Sequence, residues 1–151
     1  MKPAIGAVDI EALVARALEA QKHAYAPYSG YAVGCAILAG GAIHAGANME
    51  NASYGLALCA ERGAVAAAVF AGARQIDAAV VATSSSPPAA PCGMCLQTLN
   101  EFAADPAALR VVLINQAGER REFSLAELLP HGFRGADLPV TSRASKQSED
   151  G

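Results

Sequence analysis

Tryptophan is absent from this sequence, and all aromatic residues together make up only 5% of it. No run of about 18 apolar residues passes without a breaker, so no membrane-spanning helix is expected. Basic residues are sparse. There are 11, scattered along the chain, and only Arg120 and Arg121 are adjacent. Neutralising a phosphate backbone requires clustered Lys and Arg, which argues against a nucleic acid polymer as partner. With a formal net charge of -3, a small uncharged ligand fits better. The opening MKPAIGAVDIEAL lacks the basic-then-apolar layout of an export signal, so a cytoplasmic location is expected. Internal repeats and linker-like runs are also missing. One domain over residues 1–138 is therefore expected, with residues 139–151 as a disordered tail, because the apolar pattern stops after Leu138.

What the chain does have is core-forming material. The apolar fraction is 53% in 151 residues, enough for one globular domain. Asp9 is placed to cap a helix whose apolar positions Ile10, Leu13, Val14, Ala17 and Leu18 form one stripe. AVGCAIL (32–38) reads as a buried strand. Gly40-Gly41 turns it into a second strand, 42–48, and ENASYGL (50–56) reads as a polar loop. Residues 58–71 are Ala-rich and too long for a strand, so they predict a helix, apolar nearly all round and hence central. A strand at 76–83, the loop SSSPPAAP (84–91), a second core helix at 92–103 and strands at 109–115 and 121–124 follow. Ser124 with Glu127 forms a capping box for a short helix at 124–129. The order α-β-β-α-β-α-β-β-α predicts an α/β sandwich, a mixed sheet covered by helices.

The four cysteines are Cys35, Cys59, Cys92 and Cys95. For a chain expected in the cytoplasm, metal binding or catalysis is a better reading than disulfides. Cys92-Gly93-Met94-Cys95 by itself admits two readings, a redox dithiol or half of a zinc site. The order of elements does not match a thioredoxin-like redox fold. Cys59 and Cys92 both fall where a loop becomes a helix, and a helix N-terminus favours thiolate over thiol. Three thiolates on Zn²⁺ leave one tetrahedral position for water, the layout of a catalytic zinc. Glu61 is two residues beyond Cys59, close enough to exchange a proton with that water without binding the metal. Cys35, inside a strand, reads as packing. As a fourth ligand it would close the site and leave Glu61 without a purpose.

Cys-x-Glu followed downstream by Pro-Cys-x-x-Cys is the zinc-deaminase signature. Between about Tyr28 and Phe133 the sequence resembles the small, three-cysteine, homotetrameric cytidine deaminases. The stretches that carry the resemblance are YSGYAVGCAIL, GANMENASYGL, CAER, PCGMCLQTLNEF and LLPHGF, in the family's order. It implies a three-layer α-β-α sandwich with a mixed five-stranded sheet and a nucleoside substrate. Carried over by position, Cys59, Cys92 and Cys95 would bind zinc and Glu61 would shuttle protons. Asn48 and Glu50 would hold the ribose 3′-hydroxyl, and the Ala60 N–H would meet the base carbonyl. Tyr31 stands where the family usually has Phe against the base, and Phe133 would reach a neighbouring subunit's site. Arg62 would offset the net negative charge of a three-thiolate zinc site. The family's usual second cation, after the last ligand, is replaced here by Leu96.

Two other readings compete with a cytidine or deoxycytidine deaminase. One keeps the chemistry but changes the substrate to a modified pyrimidine nucleoside or an aminonucleoside antibiotic; NASYGL after Glu50 favours cytidine over the antibiotic. The other is a structural zinc module without catalysis.

Overall fold

Side-chain alternation along three central strands sets the layers. In the computed structural model, residues 7–139 are described; the expected tail at 139–151 lies outside them, apart from residue 139. Helix α1 spans Ala7–Gln21, and strands β1 (Gly34–Ala39) and β2 (Ala42–Ala47) form a hairpin. After a 3₁₀ turn at Tyr54–Leu56 come α2 (Ala60–Phe70), β3 (Ile76–Ala82), α3 (Gly93–Glu101), β4 (Arg110–Ile114), β5 (Arg120–Ser124) and α4 (Leu125–Leu128). The expected order of elements is the observed one.

The sheet has the order β2-β1-β3-β4-β5. Only β3 and β4 run parallel, with α3 in the crossover between them, and every other neighbour pair is antiparallel. Cys35, Ile37, Ala79, Val81, Val111 and Leu113 face one side, in one apolar cluster with Ala60, Ala64, Val65 and Ala68 of α2 and Leu96 and Leu99 of α3. Ala36, Ala78, Val80, Ala82, Val112 and Ile114 face the other, against Ile10, Leu13 and Ala17 of α1. Burial on both faces explains why the central strands read as continuous apolar runs rather than as alternating ones.

Gly40 and Gly41 both take positive φ, 61° and 78°, as a two-residue primed hairpin turn requires. The Ser124–Glu127 capping box is present in both directions.

Several boundaries differ from expectation, each for a local reason. Helix α1 begins two residues before Asp9, which is therefore inside the helix and not its cap. The second helix begins at Ala60 because Leu58 is held extended: its N–H and C=O both bond to Met49. Nor is α2 central. It buries Ala60, Glu61, Ala64, Val65 and Ala68 but leaves Phe70 96% exposed, so it is an outer-layer helix with an uncovered apolar flank.

Close approach of α2 to the sheet depends on one small residue. A Cβ on Gly46 of β2 would lie 2.5 Å from both Ala60 O and Ala64 N. We expect Gly46→Ala to cost about 1–3 kcal/mol of stability in urea denaturation, through overpacking against backbone that cannot yield. Gly55→Ala, with open space around it, should stay within about 0.5 kcal/mol of the parent.

Candidate metal centre and active site

Two helix starts build the centre. Cys59 is the N-cap of α2 and Cys92 that of α3. Both have extended backbone, and neither side chain caps its own helix. Both thiols are thus free of local duty and sit at the positive ends of helices. Because α2 and α3 share one apolar cluster on the sheet, those ends converge. The Sγ atoms of Cys59, Cys92 and Cys95 all lie within 4.8 Å of one another, and Cys92 and Cys95 are 3.5 Å apart. Tetrahedral zinc with Zn–S near 2.3 Å needs sulfurs about 3.8 Å apart, so the spacing fits. Cys35 is buried in β1 and is not part of the group, and no histidine among the described residues joins it.

The electrostatics of the protein alone are unbalanced. Burial, followed by the negative charge of Glu61, pushes the Cys95 thiol far above its usual range. Cys92 is partly desolvated, yet hydrogen bonds from the Cys95 and Met94 backbone and from the neighbouring thiols outweigh that and pull it below its usual range. Glu61 is 4% exposed, and burial raises its carboxyl despite opposing hydrogen bonds and the charge of Arg62. A divalent cation among the sulfurs would remove this conflict by making thiolate the favoured state. Three soft donors at tetrahedral spacing suit zinc.

Arg62 is one helical turn past Cys59. Its Nη2 donates to Ala57 O at 3.0 Å and lies 4.0 Å from Cys59 Sγ, while its buried Nε has no hydrogen-bond partner. Leu96 is 7% exposed and faces the apolar cluster, so Arg62 is the cation that meets the sulfurs.

Beside the centre lies an open cleft of about 370 Å³, lined by Tyr28, Ser29, Glu50, Asn51, Tyr54 and Ala57. The segment 48–50 is pinned between its neighbours: Tyr25 N–H donates to Asn48 O and Glu50 N–H to Tyr25 O. Asn48 Oδ1 accepts from Val33 N at 2.8 Å, and its Nδ2 donates to Tyr31 O at 2.8 Å. Glu50 Oε2 accepts from Tyr28 N and Ser29 N, and Oε1 accepts from the Ser29 hydroxyl. These bonds, the Ser29 hydroxyl first, hold the Glu50 carboxyl below its usual range. An amide has two N–H donors and a carboxylate about four acceptor sites. After the bonds above, Asn48 retains one N–H and one carbonyl lone pair, and Glu50 retains one lone pair.

The structure therefore brings Cys59, Cys92 and Cys95 together, with Ala60, Glu61 and Arg62 in the first turn of the helix that Cys59 caps; Glu50 lines the cleft, whereas Asn48 and Tyr31 are bonded to one another outside its lining. The extra hydroxyl of Tyr31 is hydrogen-bonded to that of Ser85, in the loop that leads to Cys92. Phe133 does not line the cleft. Its side chain is 56% exposed and its backbone is bonded to Gln97 and Asn100. Sequence reasoning passed over Ser29, Ser85, Gln97 and Asn100. Gln97 and Asn100 left one signal, since polar side chains three apart in a core helix must find partners.

Three sulfurs and a buried carboxylate two residues from one of them define a single-metal hydrolytic centre of the deaminase kind. The comparisons agree. The family described as "Cytidine and deoxycytidylate deaminase zinc-binding region" matches residues 7–110. A cytidine deaminase of Halalkalibacterium halodurans is 41% identical over 132 residues, covering 87% of this chain and 98% of its own. The crystal structure of cytidine deaminase from Burkholderia pseudomallei is 44% identical with a TM-score of 0.76, over 82% of this chain and 98% of that one. That from Mycobacterium tuberculosis is 36% identical with a TM-score of 0.71, over 83% and 97%. This chain belongs to the cytidine deaminase family.

Removing one sulfur should empty the centre. Cys92→Ala is expected to purify with almost no zinc by elemental analysis, while Cys35→Ala, altered within the sheet, keeps the parent's content. Full zinc in Cys92→Ala would remove that residue from the ligand set.

Proposed function

We propose that the protein hydrolyses cytidine and deoxycytidine to the corresponding uracil nucleosides and ammonia, using zinc held by Cys59, Cys92 and Cys95. The observation that carries this reading is Glu61, a buried carboxylate in the first turn of the helix that Cys59 caps. A structural zinc site has no use for a desolvated carboxylate at its edge, whereas a hydrolytic one needs a proton carrier there. Zinc supplies the positive charge that lets water ionise near neutral pH. Glu61 accepts the proton that water gives up and passes it to ring N3. It then takes the proton of the new C4 hydroxyl and delivers it to the exocyclic amine, which departs as ammonia as the C4–N bond breaks and the C4 carbonyl forms. The C4 carbonyl of the product takes its oxygen from water, so one water is consumed for each ammonia released.

The remaining residues select and orient the substrate. The free N–H of Asn48 and the free lone pair of Glu50 can respectively donate to and accept from the ribose 3′-hydroxyl, and the Ala60 N–H meets the base carbonyl. The Tyr31 ring forms a wall against the base, and its hydroxyl is bonded to that of Ser85. We place the catalytic unit in residues 1–138 and assign it a cytoplasmic, pyrimidine-salvage role. Its assembly is a homotetramer in which Phe133 of one subunit enters a neighbour's site. The exposed Phe70, Leu56, Met94 and Phe133 support an assembly that covers apolar surface.

Glu61→Gln should keep one zinc per chain and the parent's melting temperature, yet release ammonia about 10²–10⁴-fold more slowly. Parent-like turnover in that variant would end the shuttle role. Ultraviolet absorbance should show both nucleosides turned over and free cytosine rejected by about 10⁴-fold, because the base alone leaves Asn48 and Glu50 unpaired. If zinc-loaded parent protein turns over no pyrimidine nucleoside, the structural-module reading replaces this one.

A further inference from the structure

The peptide of Phe133 is gripped from outside its own segment. Its N–H donates to Gln97 Oε1 at 3.2 Å, and its carbonyl accepts from Gln97 Nε2 at 2.8 Å and Asn100 Nδ2 at 2.9 Å. The one donor and both lone pairs of that peptide are thereby used. Gln97 and Asn100 are three apart, so they share a face of α3. Asn100 is 3% exposed, and a buried amide must find a partner; the Phe133 carbonyl is one.

Neighbouring residues reinforce the grip. A Cβ on Gly132 would come within 2.9 Å of Asn100 Nδ2 and 2.7 Å of Leu129 Cδ2, so a side chain there would displace the Asn100 amide from its present position. On the other side, Arg134 Nη2 donates to Ala103 O at 2.9 Å and Arg134 N to Asp137 Oδ2 at 2.8 Å. The main chain is fixed before, at and after Phe133, yet the ring is left 56% exposed. Ordering a backbone to hold an aromatic ring out in water forfeits the burial that would compensate it, unless another surface receives the ring.

We propose that Gln97 and Asn100 are positioning residues for the deamination: they aim Phe133 into the nucleoside site of a second copy of this chain. The inference rests on the reading above that Phe133 enters a neighbour's site. It adds a physical link, because α3 also carries Cys95, two residues before Gln97. One helix therefore holds a metal ligand of its own subunit and the substrate wall of the next. A defect at Gln97 should consequently be felt in trans.

The test uses full-length zinc-loaded protein. Gln97→Ala, at a half-buried position, should raise KM for cytidine about tenfold or more, with zinc retained and with kcat falling by less than KM rises. Gln97→Ala chains are then co-assembled with an excess of Glu61→Gln chains. The working sites in such mixtures belong to Gln97→Ala chains but receive Phe133 from chains with an intact clamp, so KM should return toward the parent's. An unchanged KM in the Gln97→Ala homo-oligomer would overturn the proposal. So would a KM that stays raised in the mixture, or a parent protein that is monomeric by sedimentation. If Gln97→Ala does not fold, Gln97→Met is read by the same mixing criterion. Failure of the functional reading looks different: the parent is inactive, or Glu61→Gln is as active as the parent.

Discussion

Three sulfurs and a carboxylate cannot share one small volume as anions unless a cation joins them. The rest of the structure depends on this constraint. Cys95 and Glu61 are both buried, and burial raises both against ionisation. Helix N-termini at Cys59 and Cys92 and the guanidinium of Arg62 supply part of the missing positive charge. A divalent ion held by Cys59, Cys92 and Cys95 would supply the rest, and the same ion would make a bound water more acidic. The instability of the protein-only centre and its chemical usefulness thus have one origin.

Placing that centre requires the sheet. Helices α2 and α3 reach the same spot because each lays its apolar face on β1, β3 and β4. Helix α2 can come close only where Gly46 leaves its backbone bare. The extended Met49–Leu58 pairing delays the start of α2 and leaves Cys59 as its cap, with the thiol free. The same extended segment carries Asn48 and Glu50, so one stretch of chain connects the sulfur cluster to these two polar side chains.

Much of this was legible in the residues. The Gly40-Gly41 turn, the Ser124–Glu127 box and the order of elements follow from local chemistry that neighbours in sequence express by themselves. The clustering of Cys59, Cys92 and Cys95 was legible too, because few residue types bind zinc and two of the three stood at helix starts. Helix α2 misled for a physical reason: Ala on every side satisfies a central helix and an outer helix awaiting a partner equally well. Asp9 misled because a capping residue type also occurs inside the first turns of a helix.

By itself the sequence determined which sulfurs and which carboxylate could form such a centre, and the elements that bear them, since these depend on residue type and short spacing. Only the tertiary structure decided that Asn48 spends half and Glu50 most of its hydrogen-bonding capacity on residues 28–33, and that the Tyr31 hydroxyl turns to Ser85. It alone decided that Gln97 and Asn100 grip Phe133 from far along the chain. The physical reason is that a polar side chain's partner is chosen by what the packed sheet and helices bring within about 3 Å, and sequence distance carries no record of that choice.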